Sequence, residues 1–387
     1  MNKLIIALLL MAGMPVFAQE IGANFNHDPE IIDFNYLKKT PVEWIRTTPY
    51  IFQYINGAKN AATEPGLAKV IKAKKQGYKV AFGFRWDFRK FGLNIPAPNS
   101  TEEKKYFEIA TSILDRVGAY LDIFKLGNEP NLETKEEDLQ KNSEGIVPLV
   151  RFTERLLTEV VEPWYAKHKE VKRPDIYVGS LPRLFMKEEQ QKPGVRGLIE
   201  LAQNDKRIKG LSVHLHIADS VEMQEAFTFA RSLMPAKPII IPEFSLFRLY
   251  NKHNTDQLGD SPEGIAFAMK FGYAPEMKLY EWYSKANSEQ VSAEEWKAMF
   301  DSRKWFPQHF MLTYYRYFQK YGVVLATYGY LSQDAPKKMR PDSPTWFINP
   351  IFPFKSLKTQ PDGVHTSNPL WFDDFVTIVN EGKRSRK

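Results

Sequence analysis

Two glutamates carry the chemistry of this chain. One closes Lys125-Leu126-Gly127-Asn128-Glu129-Pro130 and the other closes Ile239-Ile240-Ile241-Pro242-Glu243-Phe244. Each follows an apolar run bounded by Gly or Pro, the pattern of a strand buried on both faces of a parallel sheet. A glutamate at the C-terminal end of such a strand points into the mouth of the sheet, where a (β/α)8 barrel keeps its reactive groups. Two opposed carboxylates are the minimal equipment for breaking a glycosidic bond. One protonates the leaving oxygen, and the other attacks the sugar or activates water.

The elements that must position them alternate along the chain. Strand-like runs at 20–26, 42–48, 78–85, 122–128, 175–181, 210–216 and 238–243 are separated by helical stretches at 64–76, 101–120, 145–168, 195–203 and 220–233. Asn99-Ser100-Thr101-Glu102-Glu103 and Asp219-Ser220 are helix start signals, and Pro163 interrupts the third stretch. Such alternation predicts βαβ units and a parallel sheet. The eighth strand has two candidates. Met277–Ser284 follows a helix at 262–272 and matches the spacing of the earlier units; Val323–Tyr330 follows a helix at 306–320. The spacing favours 277–284. The expected organisation is a leader over 1–18, a barrel over 19–330, and an irregular or β-rich appendage over 331–387 packed on the barrel.

At Asn128-Glu129-Pro130, with a strand before it and a second strand-end glutamate three βα units later, the chain resembles the clan A glycoside hydrolases. These are retaining (β/α)8 TIM-barrel enzymes, and the resemblance covers roughly residues 20–285. It implies Glu129 at the end of strand 4 as acid/base and Glu243 at the end of strand 7 as nucleophile. Asn128 would bond the sugar 2-hydroxyl, and Arg46 in Trp44-Ile45-Arg46 would hold the nucleophile. A histidine of Val213-His214-Leu215-His216 would stand near the nucleophile. The clan's commoner pattern is His-x-Tyr, so His214 and His216 both remain candidates; alternation puts them on one face. Trp282 in Tyr280-Glu281-Trp282-Tyr283 resembles the clan's sugar platform at strand 8. Arg85 and Trp86, ending strand 3, are further candidates for the sugar subsites. A carboxyl separation of about 5–5.5 Å is expected for a retaining enzyme.

Composition narrows the setting. Met1-Asn2-Lys3, a short apolar core over Leu4–Ala12 and Pro15-Val16-Phe17-Ala18 read as a secretory leader cleaved after Ala18, so the product is expected in the periplasm or medium. The apolar run is too short to span a bilayer, and no stable membrane insertion is expected. With no cysteine, disulfides and thiolate metal sites are excluded. His214 and His216 are a possible metal pair, but no third ligand has supporting spacing, so neither a metal nor another cofactor is expected. Net charge is +7, spread over helix faces (Lys72, Lys74, Lys75) and a short tail (Lys383, Arg384, Arg386, Lys387). Nucleic acid is not an expected partner. A carbohydrate is, and the protein is expected to be a monomer.

The leading expectation is endo-action on an extracellular polysaccharide, which export and an aromatic content of 14% favour. Alternatives are an exo-glycosidase of oligosaccharides, a non-catalytic glycan-binding barrel, and a metal-dependent hydrolase built on His214 and His216. Arg46, Arg85, His214, His216, Arg248, Lys252 and His253 edge the expected mouth, which would suit an anionic glycan; equally, they answer the charges of Glu129, Glu243, Asp87 and Glu281.

Overall fold

A computed structural model describes residues 19–332, 338–360, 363 and 366–384. The expected leader over 1–18 lies outside them, as do Arg386 and Lys387. Eight parallel strands close into a barrel in chain order: β1 (Glu20–Asn24), β2 (Trp44–Thr47), β3 (Lys79–Gly83), β4 (Ile123–Lys125), β5 (Asp175–Leu181), β6 (Gly210–His216), β7 (Ile239–Ser245) and β8 (Val323–Gly329). The fold is the expected (β/α)8 barrel.

The start signals act as expected. Ser100 accepts from the Glu103 amide at the head of helix Thr101–Val117, and Asp219 accepts from the Val221 and Glu222 amides at the head of Ser220–Leu233. Pro163 does not break its helix. A π-turn over Leu157–Val161 precedes it, and the proline falls in the first turn of Glu162–Lys167, where its missing N–H costs little.

Inside the barrel, composition changes with height. Trp44, Ala81, Ile123, Tyr177, Ile240 and Leu325, one from each of six strands, form a separate apolar plug. Two residues further along β2 and β4, on the same inward face, stand Arg46 and Lys125. Gly83 makes room for that layer: a Cβ there would lie 2.9 Å from Cβ of Lys125. The plug supports a polar floor, and the strand ends build on it.

The eighth strand corrects the spacing argument. Residues 279–289 are helix Leu279–Glu289, and β8 is the other candidate, Val323–Gly329. The β7–β8 connection carries five helices, of which only the last, Phe310–Lys320, directly precedes β8. The segment after β8 has no further strand among its described residues. Its final helix, Phe372–Arg384, packs against β1 and Phe310–Lys320 and so completes the outer ring. A Cβ at Gly382 would come within 2.2 Å of the Gln19 carbonyl, which measures how closely this helix docks. Among the described residues, no helix is long and apolar enough to cross a membrane.

Candidate active site

Glu243 reaches the mouth through a β-bulge. Ile240 faces the interior plug, while Ile239 and Ile241 face the helices. Strict alternation would send Glu243 outward with them. Between Ser212↔Ile240 and His214↔Glu243, however, β7 advances three residues while β6 advances two. The extra residue changes the phase and turns Glu243 and Ser245 inward. Pro242, which cannot donate to a ladder, lies in the bulge, and its carbonyl accepts from the Thr327 hydroxyl.

Glu129 is placed by a different device. Its backbone is left-handed, φ 40° and ψ 43°, at the turn between β4 and the short helix Pro130–Glu133. A non-glycine residue there costs on the order of 1–3 kcal/mol, a cost commonly found at functional sites.

The two glutamates converge on the β6 histidines. His214 Nδ1 lies 3.2 Å from Glu129 Oε1, and its Nε2 lies 3.8 Å from Glu243 Oε1. His216 Nε2 lies 4.0 Å from Glu129 Oε1 and 3.4 Å from Glu243 Oε2. The carboxylates therefore stand no farther apart than the sum of those last two distances. Both keep 20% of their side-chain surface exposed. His216 is anchored by a 2.8 Å contact between Nδ1 and Ser245 Oγ.

Beneath them lies a largely buried polar lattice. Arg46 donates from Nη1 to Glu243 at 2.5 Å and to Asn24 Oδ1 at 2.9 Å, and from Nη2 to Asn128 Oδ1 at 2.6 Å. Asn128 Nδ2 donates to Glu133 Oε1 at 3.0 Å, leaving one N–H for another acceptor. Arg85 Nε lies 2.6 Å from Glu133, and the Arg85 guanidinium stacks over Tyr50. Lys125 is completely buried and donates to Thr48 Oγ1 at 3.0 Å.

These contacts divide the two carboxyls. Burial pushes Glu243 up, but His214, Arg46 and His216 outweigh it and hold the carboxyl well below the usual range. For Glu129, burial again pushes up, while the hydrogen bond and charge of His214 bring it below its ordinary value. His214 can exert that charge only where it is protonated, and burial lowers its own pKa to about 4. Burial and the Glu243 charge oppose the lowering at Glu129, and the His216 charge adds to it. Burial also raises Glu133 well above the carboxylate range, and it lowers Lys125 well below the usual lysine value.

The structure brings together Glu129, Glu243, Asn128, Arg46, Arg85, His214 and His216. It does not bring Trp86 or Trp282. Trp86 alternates with Arg85 and Asp87, so it turns outward with Phe84 and Phe88 and packs on Phe152 at 5.1 Å between ring centres. Trp282 is fully buried in helix Leu279–Glu289, against Trp296 and Phe267, with Nε1 donating to Glu295. The aromatic at the mouth is Trp346, in the β8 loop. It stacks on Phe247 at 3.6 Å and meets His216 edge-on at 4.8 Å. The expected spacing puts strand 8 at 277–284, and the platform with it, not in the loop after 323–330, where Trp346 lies. Asn24 could have been found as a polar residue closing strand 20–26. Glu133 is one helical turn beyond Glu129. Lys125 carried no sequence signal beyond interrupting an apolar run.

One group among the described residues could hold a metal. Glu129, His214 and His216 offer ligand atoms that all lie within 4.8 Å of one another, so the third ligand missing from the sequence comes from the turn after β4.

Fold and site together define a (β/α)8 barrel with a carboxylate–imidazole–guanidinium mouth. Solved structures with a similar fold include a beta-glucosidase from Exiguobacterium marinum, at 9% identity and TM-score 0.49, covering 95% of this chain and 98% of that one. A GH10 xylanase from Thermobacillus composti is 14% identical with TM-score 0.45, covering 93% and 97%. A GH5_18 structure from Bifidobacterium longum subsp. longum is 11% identical with TM-score 0.46, covering 96% and 80%. No family model matches the sequence, and no curated protein matches it.

Proposed function

We propose that this chain is a retaining glycoside hydrolase of clan A type. The observation that carries the reading is the convergence of Glu129 and Glu243 on the same two imidazoles at the barrel mouth. In the first step Glu129 gives its proton to the glycosidic oxygen, the carbon–oxygen bond breaks, and a Glu243 oxygen bonds to the anomeric carbon. In the second, Glu129 takes a proton from water, the water oxygen attacks the anomeric carbon, and the Glu243 ester breaks. Arg46 keeps Glu243 ionised and aimed, and the remaining Asn128 N–H is available to the sugar 2-hydroxyl. Trp346 supplies the stacking face expected of Trp282.

Space on both sides of the carboxylates favours endo-action. A cavity of about 460 Å³ contains Glu243 and Glu129, and a second of about 470 Å³ shares Glu129, His216 and Trp346 with it. A polymer running through both lobes would be cut internally. The test is a polysaccharide digestion panel read by product mass, with wild type and Glu243→Gln in parallel. Internal fragments from wild type alone support the reading; equal products from both proteins, or none from either, reject it.

The Glu129–His214–His216 set favours a second reading, a metal-dependent hydrolase, since Zn²⁺ accepts two imidazoles and a carboxylate. Arg46 stands against it: paired with Glu243, its guanidinium is close enough to His214 to oppose positive charge on that member of the set. Loss of activity on chelation, restored by Zn²⁺, would reverse that order. We also infer that the protein is exported and monomeric. Mature protein beginning at Gln19 outside the cytoplasm, and a monomer mass in solution, check these points.

A further inference from the structure

The two lobes of the cleft differ in charge. An acid that protonates the glycosidic oxygen must stand between the sugar that is attacked and the group that leaves, with the nucleophile under the attacked sugar. Glu243 lines one lobe only, while Glu129 lines both. On the proposed roles, the lobe without Glu243 receives the leaving group.

That lobe is cationic. Arg183, Arg248 and Lys252 line it, and Glu129 is its one carboxylate among the described residues. Arg248 is held by Glu222 at 3.1 Å and lies over the Phe185 ring at 4.8 Å. Arg183 and Lys252 are exposed, and their side chains have no ion-pair or hydrogen-bond partner among the described residues. The attacked-sugar lobe is different. Its cations, Arg46, Arg85 and Lys355, are matched in number by Asp28, Glu129 and Glu243, and Arg46 and Arg85 are bonded to Glu243 and Glu133. A leaving group bearing only hydroxyls needs no cluster of cations, whereas a carboxylate or sulfate is bound well by arginine and lysine donors.

Resting on the glycosidase reading above, we propose that the leaving-group lobe recognises an anionic substituent, a carboxylate or a sulfate, on the sugar downstream of the cleaved bond, with Arg183 and Lys252 as its free contacts. Of the basic residues that the sequence placed at the mouth, only Lys252 remains unanswered there. Arg183 joins it from the turn after β5, and His253 is paired with Asp256 and stacked on Trp305.

The test compares each cleaved acidic polysaccharide with its own neutralised form, carboxyl-reduced for uronates and desulfated for sulfate esters. The readout is the ratio of kcat/KM for the charged form to that for the neutral form. Wild type is expected to favour the charged form by about tenfold, and R183Q/K252Q to lose most of that preference. The wild-type preference should also shrink as sodium chloride is raised. Loss of preference on desulfation alone assigns sulfate; loss on carboxyl reduction alone assigns a uronate. A wild-type ratio near one, or a preference that survives in R183Q/K252Q, overturns the inference and leaves the two-glutamate mechanism standing. No hydrolysis of any glycan by wild type would overturn that mechanism, and this inference with it.

Discussion

Glu129 and Glu243 have the same side chain and touch the same imidazoles, yet their surroundings differ, and on the proposed function so does their work. Arg46 touches Glu243 and not Glu129. Replacing Glu129 by Gln should lower turnover of natural glycans about 10²–10⁴-fold. Aryl glycosides with good leaving groups should suffer far less, because they need little protonation. Azide should restore turnover to Glu129→Ala by filling the vacated space. Equal losses on both substrate types would contradict the acid/base role. His214 makes a separate prediction. It is enclosed by Glu129, Glu243, His216 and Arg46, and burial lowers its pKa from 6.5 to about 4. Between those values the unfolded chain binds a proton that the folded chain refuses, so stability should fall as pH drops from 6.5 towards 4. The loss from this one group reaches about 3 kcal/mol at the lower end. Glu243, held low by its partners, adds to the loss in the same direction below the ordinary glutamate value. Urea midpoints at pH 7 and pH 4.5 should therefore differ less in His214→Gln than in wild type. An unchanged difference would count against the burial argument.

At the scale of elements, seven strands were legible because each is a short apolar run closed by Gly, Pro or a polar residue, with an amphipathic helix after it. Three features were not legible. The bulge at Pro242 depends on the register between β6 and β7, which a single chain does not display, although it decides that Glu243 faces the mouth. The parity of Phe84-Arg85-Trp86-Asp87 decides that Arg85 belongs to the site and Trp86 to the core, and it is set by where β3 ends. The eighth strand was misplaced because equal unit lengths were assumed, whereas the β7–β8 connection holds five helices. That placement puts the sugar platform on Trp282, which is buried in a helix; on the proposed function Trp346 takes its place, and the two tryptophans make opposite predictions. Trp282→Ala should cost about 3–5 kcal/mol of stability through an unfilled core cavity. Trp346→Ala should cost little stability, since its side chain is only half-buried, but should raise KM severalfold by removing a stacking face. Thermal denaturation and initial-rate kinetics on both variants separate the cases. A Trp282→Ala protein of normal stability with a raised KM would return the platform role to Trp282.

For the whole molecule, the barrel explains why so few residues carry the chemistry. An apolar plug fills its lower interior, and Arg46 and Lys125 form a buried polar floor above it, on which the carboxylates stand. A lysine without a carboxylate partner is costly to bury, so the floor marks a place where the fold gives up stability for a polar interior beneath the mouth. The long loop after β8 and the helical insertion before it wall the mouth with Trp346 and Phe247. Retention of configuration follows from this account, because Glu243 must bond to the sugar before water does. The most direct measurement is proton NMR of the anomeric signal during the first minutes of hydrolysis of a cleaved glycan, with Glu243→Gln as control. The account predicts a first-formed product with the anomeric configuration of the substrate, reaching mutarotation equilibrium only later, and no product from the variant. A first-formed product of the opposite configuration, or unimpaired hydrolysis by Glu243→Gln, would contradict it.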